Sequence, residues 1–416
     1  MIAYYLILFS TWFLILYAYR AVHLATANLP KFWKRFFRIA FLLATIAVYA
    51  STSYIAVNRD SYRGNESLRN YATVGAITLS VTLLIISIGQ FISDIALLIK
   101  YLRHRNKQKA AHSSGTKISR STFISKAALA LGGVVLGSFL WGTTKGKFGW
   151  RIMRNKMSFS NLPKAFDGLK IVQISDLHLG SFSDNYEPLE EAVQMINELE
   201  PDYIVFTGDL VNETHTEAEP WIDIFSKLKA KKGKYSVLGN HDYGWGRKLT
   251  AEDKHVSSRK VAEVNRKMGF KILLNEHEIL EQDGEKIGLV GVENWGYSEK
   301  NWFPTEGDYK KSVTDMEDVP FTILLSHDPT HWDHHILDKE KVDLTLAGHT
   351  HGGQMGISIP GLFELSAAKL FYKRYAGLYS QGLQHLYVNR GMGFLIFPGR
   401  VGMPPEISLH ELNRSV

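Results

Sequence analysis

The sequence predicts an α/β domain preceded by an α-helical transmembrane domain of about four spans. Three observations predict it. Residues 1–142 hold four long apolar runs almost free of carboxylates. The second half alternates short strand-type apolar runs with helical periodicity. Charge divides at the same place: residues 1–158 carry 21 Lys and Arg against 3 Asp and Glu, and residues 159–416 carry 27 against 38.

The net charge of +7 is therefore the sum of a basic half and an acidic half. The basic charge lies between apolar runs, where membrane topology explains it better than nucleic-acid binding does. The 416 residues include no cysteine, which excludes disulfides, zinc fingers, iron–sulfur clusters and a thiol nucleophile.

The apolar runs are Met1–Tyr19, Phe36–Val57, Tyr71–Ile99 and Phe123–Trp141. Each approaches the roughly 20 residues that a bilayer crossing needs. The first connection holds Arg20, Lys31, Lys34, Arg35 and Arg38, and the third Lys100, Arg103, Arg105, Lys107, Lys109, Lys117 and Arg120. In the second, Arg59, Arg63 and Arg69 face Asp60 and Glu66. Positive loops stay cytoplasmic, so a multi-pass protein of the cell membrane with an extracytoplasmic C-terminal domain is expected. Ser119–Lys126 supports this, because it resembles a twin-arginine export signal with Ser121 in place of the second arginine. Lys145, Lys147, Arg151, Arg154 and Lys156 argue the other way; were the fourth run not a span, the domain would be cytoplasmic. Asp94, inside the third run, is expected to reach headgroups or Lys100. Tyr4, Tyr5, Trp12, Tyr17 and Tyr19 are expected as interface anchors or packing. The expected division is a helical domain over 1–142, a linker over 143–164 and an α/β domain over 165–412. In the linker, Phe148, Trp150 and Ile152 with the neighbouring basic residues form either an amphipathic segment along lipid or a plain connection.

In the second half, strands are expected at Leu169–Ile174, Tyr203–Phe206 and Tyr235–Leu238, with helices at Glu187–Leu199, Trp221–Leu228 and Val256–Met268. Alternation of this kind implies parallel pairing through crossovers. Lys271–Leu274, Glu276–Leu280, Lys286–Val292, Thr322–Leu325, Asp343–Leu346, Leu386–Asn389 and Glu406–Leu409 are further strands. Two sheets with helices on the outer faces satisfy this order.

Five polar motifs follow these strands: Asp176-Leu177-His178, Gly208-Asp209, Gly239-Asn240-His241-Asp242, Ser326-His327-Asp328 and Gly348-His349-Thr350-His351. Strand ends are where α/β folds bind ligands. Oxygen and imidazole donors without thiolate suit Mn, Fe or Zn. Asp-x-His is expected to place two ligands from one extended strand end on the same face, because residues i and i+2 point the same way, and His-x-His to do so with two imidazoles. Gly239 and Gly348 allow a tight turn and close approach of the backbone. Two metals about 3.5–4 Å apart can bind a phosphoryl oxygen, activate a shared water and stabilise an in-line displacement.

On these five motifs, residues 165–412 resemble the calcineurin-like metallophosphoesterases. The resemblance implies a four-layer α/β/β/α sandwich and two divalent metal ions. Asp176, His178, Asp209 and His351 would hold one ion. Asp209, Asn240, His327 and His349 would hold the other, with Asp209 bridging. It further implies that His241, held by Asp242, contacts the phosphate and protonates or stabilises the leaving oxygen. His349–Gln354, Val388–Gly393 and Pro404–Ile407 resemble the membrane-attached bacterial phosphodiesterase branch and an animal transmembrane type.

The implied function is a membrane-bound dimetal phosphoesterase that hydrolyses a phosphodiester or pyrophosphate bond, with a metal-bridging hydroxide as nucleophile. Its partners would be the lipid bilayer and a phosphorylated lipid or small phosphodiester, with no nucleic acid and no obligate protein partner. One alternative is the UDP-2,3-diacylglucosamine pyrophosphatase of lipid A synthesis. Another is a non-catalytic membrane scaffold, against which the intact ligand set speaks. His331, His334 and His335 are expected at an exposed helix start. Trp245 and Trp295 could line a pocket or pack, and Arg390 could meet a phosphate or a carboxylate.

Overall fold

A computed structural model describes residues 2–58, 66–105, 120–182, 185–244, 249–297, 305–359 and 363–415. Arg59, Asp60, Arg63, Lys107, Lys109, Lys117, Ser119 and Trp245 lie outside them. The chain divides into two compact units, Met1–Thr143 and Thr144–Val416.

The first unit is built from α1 (Ile2–Ala25), α2 (Lys31–Val57), α3 (Glu66–Arg105) and α4 (Arg120–Thr144). Lys31–Ile55, Ala72–Ile99 and Ser121–Thr144 are long and apolar enough to cross a membrane. α1 packs on α3 through Ile15, Ala18, Ala21, Leu83 and Ile86. A side chain on Gly89 would collide with Ala128, so glycine permits the close approach of α3 and α4 that membrane helices favour. The side chain of Lys100 lies outside the described residues; the described partners of Asp94 are other side chains. Asp94 accepts from Arg20 at 3.1 Å, Tyr17 at 3.0 Å and Gln90 at 2.9 Å. Ser125 of α4 donates to Gln90, so three helices share one polar cluster. A carboxylate in an apolar setting takes the nearest strong donors, and α1 supplies two of them.

The second unit is a four-layer sandwich. One sheet contains β1 (Arg151–Phe159), β2 (Leu169–Ile174), β3 (Tyr203–Phe206), β4 (Gly233–Ser236), β5 (Lys271–Ile272) and β14 (Glu406–Arg414), in the order β1-β14-β2-β3-β4-β5. The other contains β6 (Glu276–Gln282), β7 (Glu285–Gly291), β8 (Thr322–Leu325), β9 (Leu344–Ala347), β12 (Gly377–Gln381) and β13 (Gln384–Val388), in the order β12-β13-β9-β8-β7-β6. Between them in sequence, β10 (Gly356–Ile359) and β11 (Phe363–Ser366) form a separate hairpin. The strands that precede the five motifs all belong to parallel ladders.

Side-chain alternation along each strand assigns the layers. Leu169, Ile171, Tyr203 and Val205 meet Ile287, Leu289, Ile323, Leu325, Leu344 and Leu346 between the sheets. Val172, Ile174, Ile204 and Phe206 point outward against α5 (Glu187–Glu198), α6 (Ile222–Phe225) and α7 (Ala251–Lys267). On the far face, Val290, Leu324, Leu386 and Val388 pack on Tyr309 of α8 (Tyr309–Ser312) and on Trp332 and Ile336.

Several boundaries differ from expectation; β4, expected at Tyr235–Leu238, is Gly233–Ser236. α6 is one turn, preceded by the 3₁₀ turn Glu219–Trp221. α7 begins at Ala251, because Thr250 and Asp253 form a capping box. The expected linker 143–164 is largely β1, which pairs with β14 from Arg151↔Glu406 to Phe159↔Arg414. Met157 and Phe159 face inward between polar neighbours, a strand alternation that the basic residues obscured. Phe148 and Trp150 join the core instead of lying along lipid, and Trp150 Nε1 donates to the Pro188 carbonyl.

Candidate metal centre

The five motifs meet at the C-terminal ends of β2, β3, β4, β8 and β9. Their loops are bound to one another: Asp176 N–H donates to Gly208 O at 2.9 Å, His178 N–H to Asp209 O at 3.2 Å, and Gly348 N–H to His327 O at 2.8 Å. His349 N–H donates to the Asp176 carboxylate at 3.0 Å. Glycine is required where these loops touch. A Cβ on Gly239 would fall on the Asp209 carboxylate, and one on Gly348 on Ser175 Oγ. Close approach is the reason at both positions; the tight left-handed turn is at Gly208, with φ of 95°.

Asp-x-His and His-x-His are not extended. Asp176, His178, Asp209, His349 and His351 have φ of 50°, 45°, 60°, 73° and 53°. Left-handed backbone at non-glycine residues is uncommon and concentrates at functional sites. Here it turns five polar side chains into one buried volume, which an extended strand end would not do.

Two groups form there, Asp176 with His178 and His351, and Asp209 with His327 and His349. His178 Nε2 lies 3.0 Å from His351 Nε2, and Asp176 Oδ1 lies 3.4 Å from His351 Nε2. In the second group, Asn240 Oδ1 lies 3.2 Å from His327 Nε2 and 2.8 Å from His349 Nδ1. Asp209 Oδ2 is 3.6 Å from His178 Nε2 and 3.2 Å from His327 Nε2, so one oxygen faces both groups. All seven expected ligand residues are therefore together.

The donor chemistry fits cations. His178 Nδ1 donates to Asn212 Oδ1 at 3.1 Å and His327 Nδ1 to Thr207 O at 2.7 Å, because an amide or carbonyl oxygen can only accept. Each ring then turns its Nε2 toward the centre. His349 Nε2 faces the Tyr372 hydroxyl at 2.8 Å and Asp328 Oδ2 at 3.4 Å, which directs Nδ1 inward. Metal-binding histidines are anchored in this way through their other nitrogen. Burial pushes the His178 imidazole down to about 3 and holds His351 well below the usual range, which keeps both in the neutral, ligating form. Burial pushes the Asp209 carboxyl up, but His327, His241 and His178 overcome it and hold it well below the usual range. Burial likewise pushes His327 down, yet Asp209 and Asp176 raise it to about 10.

His241 lies beside the first group, its ring 4.8 Å from that of His178. Its backbone N–H donates to Asp209 Oδ1 at 2.8 Å and its Nδ1 to Asn212 O at 2.7 Å. Asn212, not Asp242, thus orients the ring. Asp242 accepts from the backbone N–H groups of Asp209, Leu210 and Gly239 at 3.0, 2.8 and 2.9 Å. It fastens the Asp209 loop, because a buried carboxylate between three N–H groups has no better partner.

Four supporting residues had no local signal: Asn212, Asp328 as a partner of His349, Tyr372 and Arg400. The Arg400 guanidinium is buried and donates to the carbonyls of His351, Arg390, Gly391 and Gly393. Arg390 meets carboxylates, Glu364 at 2.9 Å and Glu406 at 2.6 Å. His331 is buried against Ser326 rather than exposed, and burial pushes its imidazole down to about 3. His334 and His335 are exposed, and Trp295 packs on all three rings.

Comparison with known proteins agrees with this geometry. Residues 169–353 match the family model "Calcineurin-like phosphoesterase", and residues 1–147 match "Probable Calcineurin-like phosphoesterase, transmembrane domain". The uncharacterized metallophosphoesterase YkuE of Bacillus subtilis (strain 168) is 34% identical over 258 residues, 61% of this chain and 82% of its own. A transmembrane protein with metallophosphoesterase domain from Danio rerio is 25% identical over 392 residues, 91% of this chain and 81% of its own. The UDP-2,3-diacylglucosamine pyrophosphatase LpxG of Chlamydia trachomatis is 30% identical over 304 residues, 60% of this chain and 86% of its own. The chain is a membrane-associated metal-dependent phosphoric ester hydrolase. It belongs to the calcineurin-like phosphoesterase family.

Proposed function

We propose that the protein hydrolyses a phosphodiester or pyrophosphate bond in a lipid-linked substrate, using two divalent ions chosen from Mn, Fe and Zn. Asp176, His178, Asp209 and His351 would hold one ion, and Asp209, Asn240, His327 and His349 the other. The observation that carries this reading is Asp209 Oδ2, which lies within 3.6 Å of a histidine nitrogen from each group. Bound ions would polarise the phosphoryl group and activate the attacking water.

The chain's own residues do the rest. Asn212 orients His178 and His241 together, one through its side chain and one through its carbonyl. With Nδ1 committed to Asn212, His241 works through Nε2, which gives a proton to the leaving oxygen as the phosphorus–oxygen bond breaks. Water supplies the new oxygen on phosphorus, so no covalent phosphoenzyme is needed. Asp242 keeps Asp209 at the centre by fixing its backbone.

The membrane side of the domain is proposed as extracytoplasmic, on the positive charge of the first and third connections. Hydrolysis of UDP-2,3-diacylglucosamine is the second reading, favoured by the likeness to LpxG. That substrate is cytoplasmic, so the two readings require opposite topologies.

The test is hydrolysis by the full chain in detergent. Bis-p-nitrophenyl phosphate with Mn²⁺ should turn over, chelator should stop it, and His241→Ala should lose it while keeping its metal. Turnover of UDP-2,3-diacylglucosamine with none of simple diesters would replace the first reading by the second. No hydrolysis of either, with metal bound, would overturn both.

A further inference from the structure

The β10–β11 hairpin has its polarity reversed. Gly356 pairs with Ser366, Ile357 with Leu365, Ser358 with Glu364 and Ile359 with Phe363. Directly opposed residues share a face, so Ile357, Phe363 and Leu365 lie on one side and Ser358, Glu364 and Ser366 on the other. The polar side is the anchored one: Glu364 binds Arg390, and Ser366 Oγ donates to Gly352 O. Ile357, Phe363 and Leu365 are exposed. A soluble hairpin on a core does the opposite.

Two neighbouring turns continue this surface. After Ser366, a 3₁₀ turn ends with Leu370 and Phe371, which are 82% and 80% exposed. Ile396, 74% exposed, has φ of 63°, a genuine outlier for a β-branched residue. Backbone strain of this kind concentrates at functional positions.

All three segments are tied to the turn that follows His351. Gly352 O accepts from Ser366, Gln354 Nε2 donates to Phe397 O, and Leu395 N–H donates to Gln354 Oε1. The next residue after Phe371 is Tyr372, whose hydroxyl meets His349. The segments that carry the apolar side chains are thus bonded to residues beside the metal centre. Exposed Lys369 lies among them, and Lys373 follows.

We propose that these side chains form a lipid-docking surface that seats the phosphoesterase domain on a bilayer. Three features select lipid over protein. The side chains come from one hairpin face and two separate turns, as suits a fluid acyl boundary rather than a fixed complementary surface. Lysine is the cation beside them, suited to anionic headgroups. The chain is itself a membrane protein. A lipid-linked phosphate would then approach the centre along the bilayer surface; that consequence rests on the proposed function, whereas the docking does not.

The chain has no cysteine, so single labels can be placed at will. The full chain would carry Phe371→Cys, Ile396→Cys or, as control, Leu383→Cys, an exposed turn residue between β12 and β13. An environment-sensitive fluorophore on each would be read in phosphatidylcholine–phosphatidylglycerol vesicles. Labels at 371 and 396 should shift to the blue, resist iodide, and be quenched by lipid-borne nitroxides placed at the depth of about 5–10 Å typical of interfacial segments. The label at 383 should be quenched by iodide alone. Iodide quenching of 371 and 396 equal to that of 383 would overturn the proposal. So would protection from both quenchers with energy transfer between labelled chains, which would assign the surface to a second copy. The readout is independent of turnover, so its failure is separable from failure of the catalytic reading.

Discussion

Each unit of this protein has a polar cluster that joins several of its elements, half-exposed in the helical unit and buried in the other, and the two clusters are built on opposite principles. In the helical unit, Asp94 accepts from Arg20, Tyr17 and Gln90, so acceptor meets donor at every contact. In the phosphoesterase unit, histidine nitrogens face one another at 3.0 and 3.3 Å, with Asn240 and Asp209 oxygens beside them. The first cluster is complete with protein atoms alone. The second collects acceptor atoms against one another around one centre. The backbone separates them too: the helical cluster sits on regular α-helix, whereas five residues of the other lie at positive φ. Burial of polar groups does not distinguish a structural cluster from a ligand site; whether donors and acceptors balance does.

The largest effect should come from the residue that joins the two metal groups. Asp209→Asn should bring hydrolysis of bis-p-nitrophenyl phosphate down to the chelator-treated background. Activity near wild type would show that the centre does not work as a pair. Next comes His241→Ala, expected to lower kcat by about 10²–10⁴, the usual worth of a positioned proton donor. Metal content measured on the same sample should not change, since His241 lies outside both groups.

A smaller effect is expected behind His349. Asp328→Asn should weaken metal binding by about 10–100-fold, as loss of a ligand's supporting partner does. Titration of the chelator-stripped chain with Mn²⁺ would show one site weakened and the other kept. Equal weakening of both would mean that Asp328 acts on the whole fold. The smallest effect belongs to the balanced cluster. Arg20→Gln should cost the helical unit about 1 kcal/mol in a membrane-mimetic unfolding titration, the scale of polar contacts between membrane helices. Turnover of a soluble diester should stay at the wild-type level. A loss there would mean that the Arg20–Asp94 cluster has a catalytic role.

The centre was legible because each contributing strand ends in a short polar motif that carries its own ligand. Asp176, His178, Asp209, Asn240, His327, His349 and His351 are all read that way, and the structure brings them together. The supporting residues were not legible, because their partners are distant in sequence. Tyr372 reaches His349 across 23 residues and Arg400 reaches His351 across 49. Asn212 follows a motif by only three positions, but its double grip on His178 and His241 depends on the left-handed backbone at His178. The same backbone defeats the i, i+2 argument for Asp176 and His178. β1 escaped notice because its basic residues suggested membrane-side charge, although Met157 and Phe159 already alternate as a strand does.

On this reading the crowded acceptors at the strand ends are two cation sites sharing Asp209. Metal analysis of the purified full chain, wild type beside Asp209→Asn, tests it most directly. Two divalent ions per wild-type chain, and nearly none in a variant with an unchanged circular dichroism spectrum, is the result the geometry predicts. One ion or none in the wild type, or both ions retained by the variant, would contradict it.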